Sequence, residues 1–524
     1  MSRALLKATT VVGGMTLISR VLGLVRDIVF ARYFAPGPVM DAFLVAFKIP
    51  NFMRRLFGEG AFSQAFVPVL SEHKTRDTAE EVRALNDRVA GTFGVLLFGV
   101  TAAGVIVAPV LVYVFAPGFQ ADADKYALTV DMLRVTFPYL MFISLTAFAS
   151  GILNTYGRFA VPAFTPALLN IVMIATTVWI APHFEERGMA LAWGVFFGGV
   201  LQLAFQLPFL ARLGLLPRPR WGWSSPPVRR VFRLMLPALF GSSVQQISLL
   251  LDTLIASFLI TGSVSWLYYA DRLMEFPLGV FGIALATVVL PSLSQRHAEQ
   301  SPERFSQTLD WALRFTFLIG MPASVGLFVL AGPMAATLFQ YGEFTARDTH
   351  MTAAALMPYA IGMFGFTLVK ILAPGYYARQ DTRTPVRIGL IALAVNVAFN
   401  LLVVVPWHLA GLPYAHAGLA LSTSLAAFVN AALLYRGLRR QDAFHPEAGW
   451  GIFLARVFLA NAAMGALLWW GAGATGEWSA SGAFERVLRL AGWIGAGAVV
   501  YAVALWLAGL RPRHLRGHSG AAPV

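Results

Sequence analysis

The sequence predicts an all-α polytopic membrane protein with fourteen transmembrane helices, built as two six-helix lobes of a parallel repeat plus two C-terminal helices. Three observations lead to this fold class. The composition is 57% hydrophobic and only 13% charged, with a mean hydropathy of +0.66, outside the range of soluble domains. Apolar stretches of about 20 residues recur along the whole chain. Sequence landmarks also recur at one nearly constant spacing.

The apolar stretches have the length that crosses ~30 Å of hydrocarbon as a helix. The first one follows a basic N-terminus like a signal peptide, but it has no convincing cleavage site and continues through two arginines, so we expect it to be retained. The predicted spans are 8–34, 39–70, 89–115, 129–153, 160–181, 189–210, 231–259, 265–292, 312–331, 350–372, 386–406, 415–436, 452–472 and 486–509.

Charge in the loops predicts the orientation. Lys and Arg concentrate in the loops on the side of the N-terminus, and residues 211–233 alone carry six arginines. The positive-inside rule therefore places both termini in the cytoplasm. The net charge of +14 is spread over many such segments, which argues against nucleic acid as a partner. The absence of cysteine excludes disulfides and thiolate chemistry.

An internal repeat divides the chain. Three landmarks recur at the same offset, to within one position: Pro68 and Pro291, Phe115 and Phe339, and Pro162 and Pro385. Each repeat holds six spans, an even number, so both copies enter the membrane from the same side, as in transporters that alternate access between two lobes. The predicted domains are an N-lobe, a C-lobe, and a C-terminal pair of helices with a cytoplasmic tail: 1–220, 221–440 and 441–524.

Ionisable side chains lie inside several spans. Each costs about 3 kcal/mol or more at membrane depth, so such residues normally face a bundle interior or a wet cavity. Most of those in the first two spans are basic, which favours an anionic substrate. The ionisable residues taken as candidates for the site are Arg20, Arg26, Asp41, Lys48, Arg54, Arg55 and Glu59 in these two spans, and Asp271, Arg272 and Glu275 in the eighth.

Helix geometry orders the charges of the second span. With about 100° per residue, one polar stripe about 40° wide contains Asp41, Lys48, Arg55 and Glu59. Arg54 lies about 100° off this stripe. Pro50 can kink or rotate the helix, so either arginine can reach a cavity.

The first and eighth spans carry further predictions. Arg20 and Arg26 lie about 120° apart on a straight helix, so we predict a break near Gly23 that lets both face one cavity. In the eighth span, Glu275 is placed to pair with Arg272 and hold its guanidinium. The aromatic group that precedes them is typical of an outer-interface belt: Trp266, Tyr268 and Tyr269.

The chemistry of these residues points to binding rather than catalysis. A guanidinium stays charged and matches phosphate oxygens, so converging arginines suit a pyrophosphate; alternatively, the charges only pair with one another to hold helices together. Asp252, Asn396 and Asn400 form a candidate Na⁺ site or proton relay, although interhelical hydrogen bonding explains the amides equally well. No nucleophile, Walker A or zinc motif appears, so we predict no catalytic residues and no cofactor.

Three segments resemble one family. TLISRVLGLVRDIVFARYF, DAFLVAFKIPNFMRRLFGEGAFSQAFVPVLSE and SVSWLYYADRLMEFPLGVFGIALATVVLPSLS are similar to the MurJ (MviN) lipid II flippases, of the multidrug/oligosaccharidyl-lipid/polysaccharide exporter superfamily. The resemblance covers nearly the whole chain. It implies a V-shaped pair of lobes, two terminal helices that form a groove for the polyprenyl tail, and export of undecaprenyl-pyrophosphate disaccharide-pentapeptide across the bacterial inner membrane.

The resemblance also implies roles for individual residues. The family's cavity arginines fall on Arg20, Arg26, Arg54 and Arg272, with Asp41 as a further important acidic position. The expected partners are lipid II, membrane lipids and a cell-wall synthesis complex around a monomeric transporter, driven by Na⁺ or the membrane potential. The alternatives are a flippase for another lipid-linked oligosaccharide, a drug or ion antiporter, and a membrane enzyme acting on a polyprenyl pyrophosphate.

Overall fold

A computed structural model describes the backbone of residues 3–55, 62–279 and 283–510, and the side chains of 12–55, 62–236, 250–279 and 289–510. All regular secondary structure within these ranges is helical. By internal packing the chain divides into two units, Met1–Ser265 and Trp266–Val524. This division lies C-terminal to the predicted 220/221 boundary, which describes the sequence repeat and stays a prediction.

In its described part, the first unit contains ten α-helices before the start of an eleventh. A 3₁₀ turn, Pro117–Ala121, precedes the sixth helix, and a π-helical segment, Thr176–Ile180, with a 3₁₀ turn, Ala181–His183, follows the eighth. The helices are α1 (Arg3–Phe34), α2 (Pro38–Arg54), α3 (Ser63–Arg76), α4 (Ala79–Ile106), α5 (Ala108–Phe115), α6 (Ala123–Thr136), α7 (Tyr139–Thr155), α8 (Ala160–Ala175), α9 (Arg187–Arg212) and α10 (Pro226–Ser257).

The second unit continues in the same manner, beginning within the eleventh helix. A π-helical segment, Asn400–Val404, follows the sixteenth helix of the chain. The helices are α11 (Ser263–Pro277), α12 (Ile283–Ala298), α13 (Pro302–Val329), α14 (Ala331–Phe339), α15 (Ala346–Tyr377), α16 (Arg383–Phe399), α17 (Val405–Leu409), α18 (Ala415–Arg440), α19 (Trp450–Ala472), α20 (Thr475–Ala480) and α21 (Ala483–Leu507).

The sequence repeat is visible in irregular features of the helices. The two π-helical segments, Thr176–Ile180 and Asn400–Val404, are separated by the offset that relates Phe115 to Phe339. The N-caps of α6 and α15, Asp122 and Thr345, are separated by the offset that relates the proline landmarks. Because π segments and capped helix starts are local departures from regular geometry, their recurrence at the spacing of the sequence landmarks supports two copies of one fold.

Ten helical segments of the described part are long and apolar enough to cross a membrane. Each overlaps one of the predicted spans, although the ends differ by up to about ten residues, as between Ala79–Ile106 and the predicted span 89–115. The other four predicted spans fall on α1, α2 with α3, α10, and α11 with α12, which carry the intramembrane charges or contain residues outside the described ranges. The helical membrane fold is confirmed, and the ten segments are consistent with a total of fourteen spans.

Carboxylates at equivalent positions hold the segment that follows each repeat. Asp87 of α4 accepts the backbone N–H of Arg218 at 2.7 Å. Asp310 of α13, the equivalent position in the second repeat, accepts the N–H of Glu447 at 3.1 Å and the indole N–H of Trp450 at 2.6 Å. Each connecting segment is thereby fastened to the helix that carries the third predicted span of its own repeat.

The prediction of a break near Gly23 is wrong. The α1 helix is continuous from Arg3 to Phe34. One glycine costs a helix only about 1 kcal/mol, and no competing cap pulls the chain out of helical geometry here. The two arginines consequently diverge as on a straight helix: Arg20 is exposed, whereas Arg26 is buried.

Candidate functional site

A buried charge cluster joins α1 to α8. The Arg26 guanidinium is 8% exposed and binds one carboxylate oxygen of Asp27 through Nη2 at 2.7 Å and Nε at 3.0 Å. Its Nη1 donates to Oδ1 of Asn170 at 3.0 Å, and the Asn170 amide in turn donates to the carbonyl of Ser19 at 3.1 Å. The guanidinium also lies over the ring of Phe30. Arg26 is therefore held in one orientation and neutralised by a neighbouring carboxylate.

The other basic residues of the first two spans are less enclosed. Arg20 is exposed on α1. Arg54 is half-buried in the last turn of α2, where its Nε donates to the side chain of Asn51 at 2.9 Å. Arg55 follows as the C-cap and is also half-buried, while Glu59 lies outside the described residues. Which of Arg54 and Arg55 contacts a substrate stays a prediction.

The second cluster is centred on Asp41, in the first turn of α2. Its carboxylate is 1% exposed and pairs with the Lys125 ammonium, itself 5% exposed, at 2.9 Å. The same carboxylate accepts the backbone N–H of Gly262 at 2.8 Å, the N–H of Ser265 at 3.0 Å and the Ser265 hydroxyl at 2.6 Å. Lys125 also lies 4.0 Å from the ring centroid of Phe119.

This Asp41 cluster is a helix-capping and ion-pairing site in one. The two backbone donors belong to the first turn of α11 and the residue before it, where free N–H groups and the helix dipole favour a negative charge. A single carboxylate thus ties together the starts of α2, α6 and α11. In the described structure it accepts hydrogen bonds from Lys125, Gly262 and Ser265, and its contact with a substrate stays a prediction.

Two further contacts join α2 and the segment before α6 to α10, next to the Asp41 cluster. The N–H of Gly118 donates to the Ser257 hydroxyl at 3.1 Å, and a Cβ at Gly118 would lie 2.3 Å from the Ser257 carbonyl oxygen, so only glycine fits there. On α2, the Lys48 ammonium donates to the hydroxyl of Thr253 on α10. Lys48 therefore contacts the residue next to Asp252, and both members of the predicted polar stripe with described partners, Asp41 and Lys48, bind the α10–α11 segment.

In the second unit, Arg272 binds Glu275 as the sequence spacing predicts. The Nη1–Oε2 distance is 2.9 Å, the two side chains are 36% and 46% exposed, and the guanidinium lies over the ring of Tyr268. Asp271 is half-buried beside them. The pair holds the guanidinium at an accessible position, in contrast to the enclosed Arg26.

The predicted outer-interface belt is wrong for two of its three aromatic residues. Trp266 and Tyr269 are 2% and 0% exposed. Trp266 donates its indole N–H to Asp348 at 2.9 Å, and Tyr269 packs against Phe339. They are buried because α11 packs within its unit on this face, which aromatic content alone does not reveal.

The amides of the candidate Na⁺ site lie in the second unit. Asn396 donates to the hydroxyls of Ser422 and Thr423 at 3.1 and 3.3 Å, and Asn400 donates to Oδ1 of Asn396 at 3.3 Å. The described residues contain no group of three or more His, Asp or Glu that could hold a metal. This arrangement fits interhelical hydrogen bonding, while Asp252 belongs to the first unit.

Sequence reasoning missed most of the partners of these charges. Asp27 stands beside Arg26 in the sequence, and this adjacency is a signal that could have identified the pair. Lys125 lies in a predicted loop. The only sequence feature that marks it as a candidate is its position in the first repeat, which is equivalent to that of Asp348 in the second. Asp348 binds α11 as Lys125 binds α2. Asn170 carries no such signal.

A polytopic helical fold with an internal repeat and buried charges in its first helices is typical of membrane transporters. The comparison with known proteins then specifies the family. A family model described as lipid II flippase MurJ matches residues 30–488, and this chain belongs to that family. A probable lipid II flippase MurJ of Vibrio cholerae is 47% identical over 522 residues, which cover 98% of both chains. The lipid II flippase MurJ of Burkholderia cenocepacia is 43% identical over 518 residues, covering 98% of this chain and 99% of that one.

Solved structures agree with this assignment. A lipid II flippase MurJ in an inward closed conformation superposes with a TM-score of 0.77 at 26% identity, covering 95% of this chain and 98% of that one. An inward-facing multidrug resistance MATE family transporter of the MOP superfamily superposes with a TM-score of 0.67 at 15% identity, covering 83% and 98%. The latter similarity shows a shared fold only.

Proposed function

We propose that this protein flips lipid II from the cytoplasmic to the outer leaflet of the bacterial inner membrane by alternating access. The observation that carries the proposal is the buried Arg26–Asp27–Asn170 cluster in a chain of the lipid II flippase family. The names of the relatives supply the substrate, and the chemistry of the cluster supplies a reason for it. No covalent step is required, since the protein lowers the barrier for moving a polar head group through hydrocarbon.

In this proposal the pyrophosphate competes with Asp27 for Arg26. The guanidinium already offers its fork to a carboxylate oxygen, and a pyrophosphate presents more oxygens and more charge in the same geometry. Arg20, Arg54 and Arg272 are the further proposed contacts. Of these, Arg272 is held by Glu275 in an accessible position, where it meets the substrate.

The Asp41 cluster is the proposed closure on the outer side. The orientation with cytoplasmic termini places the starts of α2, α6 and α11 at the outer face, and the basic cytoplasmic loops support that orientation. Opening toward the outside would then separate the Asp41 carboxylate from the α11 donors and from Lys125. The cost of exposing this cluster holds the outer side closed until the substrate stabilises the alternative state.

The remaining parts of the proposal concern the tail, the partners and the driving force. The polyprenyl tail follows α19 and α21, and the protein works as a monomer within a cell-wall synthesis complex. For the driving force we propose Na⁺ or the membrane potential, with Asp252, Asn396 and Asn400 as the candidate oxygen ligands. Flipping in proteoliposomes with Na⁺ replaced by K⁺, with and without an imposed potential, separates these two sources.

The test uses two arginines of the same helix. Arg26→Ala and Arg32→Ala each remove one positive charge from α1, but only Arg26 is buried in the cluster; Arg32 is exposed near the helix end. In cells depleted of the native protein, we expect the Arg26→Ala variant to leave lipid II in the cytoplasmic leaflet and the Arg32→Ala variant to restore its export. Normal export by an inserted Arg26→Ala protein would refute the assigned role. Export of a different lipid-linked oligosaccharide by the intact chain, with lipid II left behind, would replace the substrate.

A further inference from the structure

We propose that the segment joining α9 to α10, residues 213–225 and called the strap here, is a binding surface for the head groups of anionic phospholipids. This goes beyond the transported substrate. Only the choice of leaflet, the cytoplasmic one, rests on the orientation given under the proposed function. The proposal stands on how the strap is held, which side chains it displays and where it lies along the chain.

The strap is fastened through its backbone. The N–H of Arg218 donates to the carboxylate of Asp87 at 2.7 Å, and the N–H of Arg220 donates to the carbonyl of Asp87 at 2.9 Å. The N–H of Gly222 donates to the Thr92 hydroxyl at 3.0 Å. Because these three bonds use main-chain donors, they position the strap without engaging the guanidinium groups.

Close packing adds to this fastening. A Cβ at Gly91 of α4 would lie 2.2 Å from the carbonyl oxygen of Arg220, and a Cβ at Gly222 would lie 2.4 Å from Cβ of Arg88. Both distances are far below a van der Waals contact, so the strap lies directly on α4. Its display of side chains is therefore preorganised, which reduces the entropy lost on binding.

The exposed side chains on and around the strap are mostly basic. The carboxylate of Glu72, on the neighbouring α3, is engaged in an ion pair with Arg230 at 2.9 Å. Arg229 is oriented by a bond of 2.9 Å from Nε to the carbonyl of Trp223. The exposed arginines of the strap and of the adjoining helix ends are Arg83, Arg88, Arg212, Arg218, Arg220, Arg229, Arg230 and Arg233.

Two indoles accompany the arginines. Trp221 and Trp223 are 59% and 41% exposed and lie parallel, with ring centroids 6.5 Å apart and an interplanar angle of 21°. The strap starts immediately after Arg212, the end of a membrane-crossing helix, and leads into α10, a predicted span. Indoles at that level insert among lipid head groups. The arginines then favour anionic over zwitterionic lipid, by about fivefold per arginine near the surface.

The experiment exploits the absence of cysteine from the chain. Ser224, exposed within the strap, is replaced by cysteine and labelled with bimane in the full chain, reconstituted in phosphatidylcholine nanodiscs. Brominated phosphatidylglycerol and brominated phosphatidylcholine are compared as quenchers at equal mole fraction. We expect phosphatidylglycerol to quench at least fivefold more effectively, and less so at high salt.

Matched variants assign the effect to the strap. Arg218→Gln with Arg220→Gln keeps the backbone fastening and should remove the preference. Arg439→Gln with Arg440→Gln, an exposed pair at the end of α18, removes the same charge and should leave it unchanged. Asp87→Ala separates order from charge: it makes the region more basic but removes the bond that holds the backbone of Arg218, so we expect the preference to fall.

Several outcomes would overturn the proposal. These are equal quenching by the two lipids, a preference that survives the Arg218 and Arg220 substitutions, or a rise in preference in the Asp87 variant. If inorganic phosphate or a short nucleic acid, added to samples that contain the brominated lipid, abolishes the quenching, the surface is a site for those anions and not for lipid. Lipid II flipping by the same samples reports separately on the proposed function. Labelling of the Ser224→Cys variant in cells by an impermeant reagent reports separately on the orientation.

Discussion

Replacing Asp41 by asparagine tests the closure cluster most directly. The carboxylate accepts four donors in a site where it is 1% and Lys125 5% exposed. An asparagine retains one oxygen for Ser265, but its NH₂ group would replace the oxygen that accepts from both Lys125 and Gly262 and would face those two donors as a donor itself. The substitution leaves the buried ammonium without its countercharge.

The expected cost follows from this geometry. Removing one partner of a buried ion pair costs about 3–5 kcal/mol. Lys125→Met leaves the carboxylate with its three remaining donors, so a smaller loss of about 1–3 kcal/mol is expected. The double variant removes both charges, and its cost should be smaller than the sum of the single costs by at least about 1 kcal/mol.

The assay is the free energy of unfolding in mixed micelles, titrated with SDS and followed by circular dichroism. The matched control is the exposed pair of Asp131 and Arg134 in α6, whose side chains are 58% and 48% exposed at 3.2 Å. Neutralising either residue should cost less than about 1 kcal/mol. The reasoning fails if Asp41→Asn costs no more than Asp131→Asn, or if the Asp41 and Lys125 effects simply add.

Three further predictions concern contacts made by α4, α13 and α3. Gly91→Ala should lower the unfolding temperature because its Cβ would overlap the strap backbone, whereas Gly94→Ala, with nothing within 4 Å, should not. Asp310→Ala should cost about 1–3 kcal/mol in the same SDS titration, since the buried carboxylate is the acceptor of three donors, from half-buried Arg314 and Trp450 and from the Glu447 backbone. Arg230, by its hydrogen bond and its charge, lowers the pKa of Glu72. The stabilisation by this pair is therefore present above the ordinary carboxyl pKa and lost as pH falls through the lowered one.

Each of these has a contradicting result. Equal unfolding temperatures for the two glycine variants would mean that the strap can move away from α4 at no cost. An Asp310→Ala protein as stable as the native one would mean that water replaces the carboxylate. If Arg230→Gln alters the unfolding temperature equally at neutral pH and at a pH where Glu72 is protonated, the pair does not act through ionised Glu72.

Local patterns in the sequence account for much of the fold. Hydropathy and spacing predict the helical spans because a helix in lipid satisfies its own backbone, so its length and apolarity are properties of a continuous segment. The repeat is equally local, since Pro68 and Pro291 or the N-caps of α6 and α15 are recognised by their own neighbourhoods. The i,i+3 pairing of Arg272 with Glu275 belongs to the same class.

Helix phase predicted the correct face but not the neighbour. The polar stripe containing Asp41 and Lys48 does bind other elements, yet its partners are Lys125, Ser265 and Thr253, all of which lie far away along the chain. Nothing in the phase of one helix specifies which helix packs on it.

The sequence by itself determined that this is a helical membrane protein of the lipid II flippase family, with an internal repeat and with basic residues in its first two predicted spans. Only the tertiary structure decided that α1 runs unbroken past Gly23, that Asp27 and Asn170 enclose Arg26, and that Asp41 caps α11. The physical reason is that a buried charge must be satisfied by whatever donors and acceptors the packing brings to it. That neighbourhood is assembled from distant segments and exists only in the folded chain.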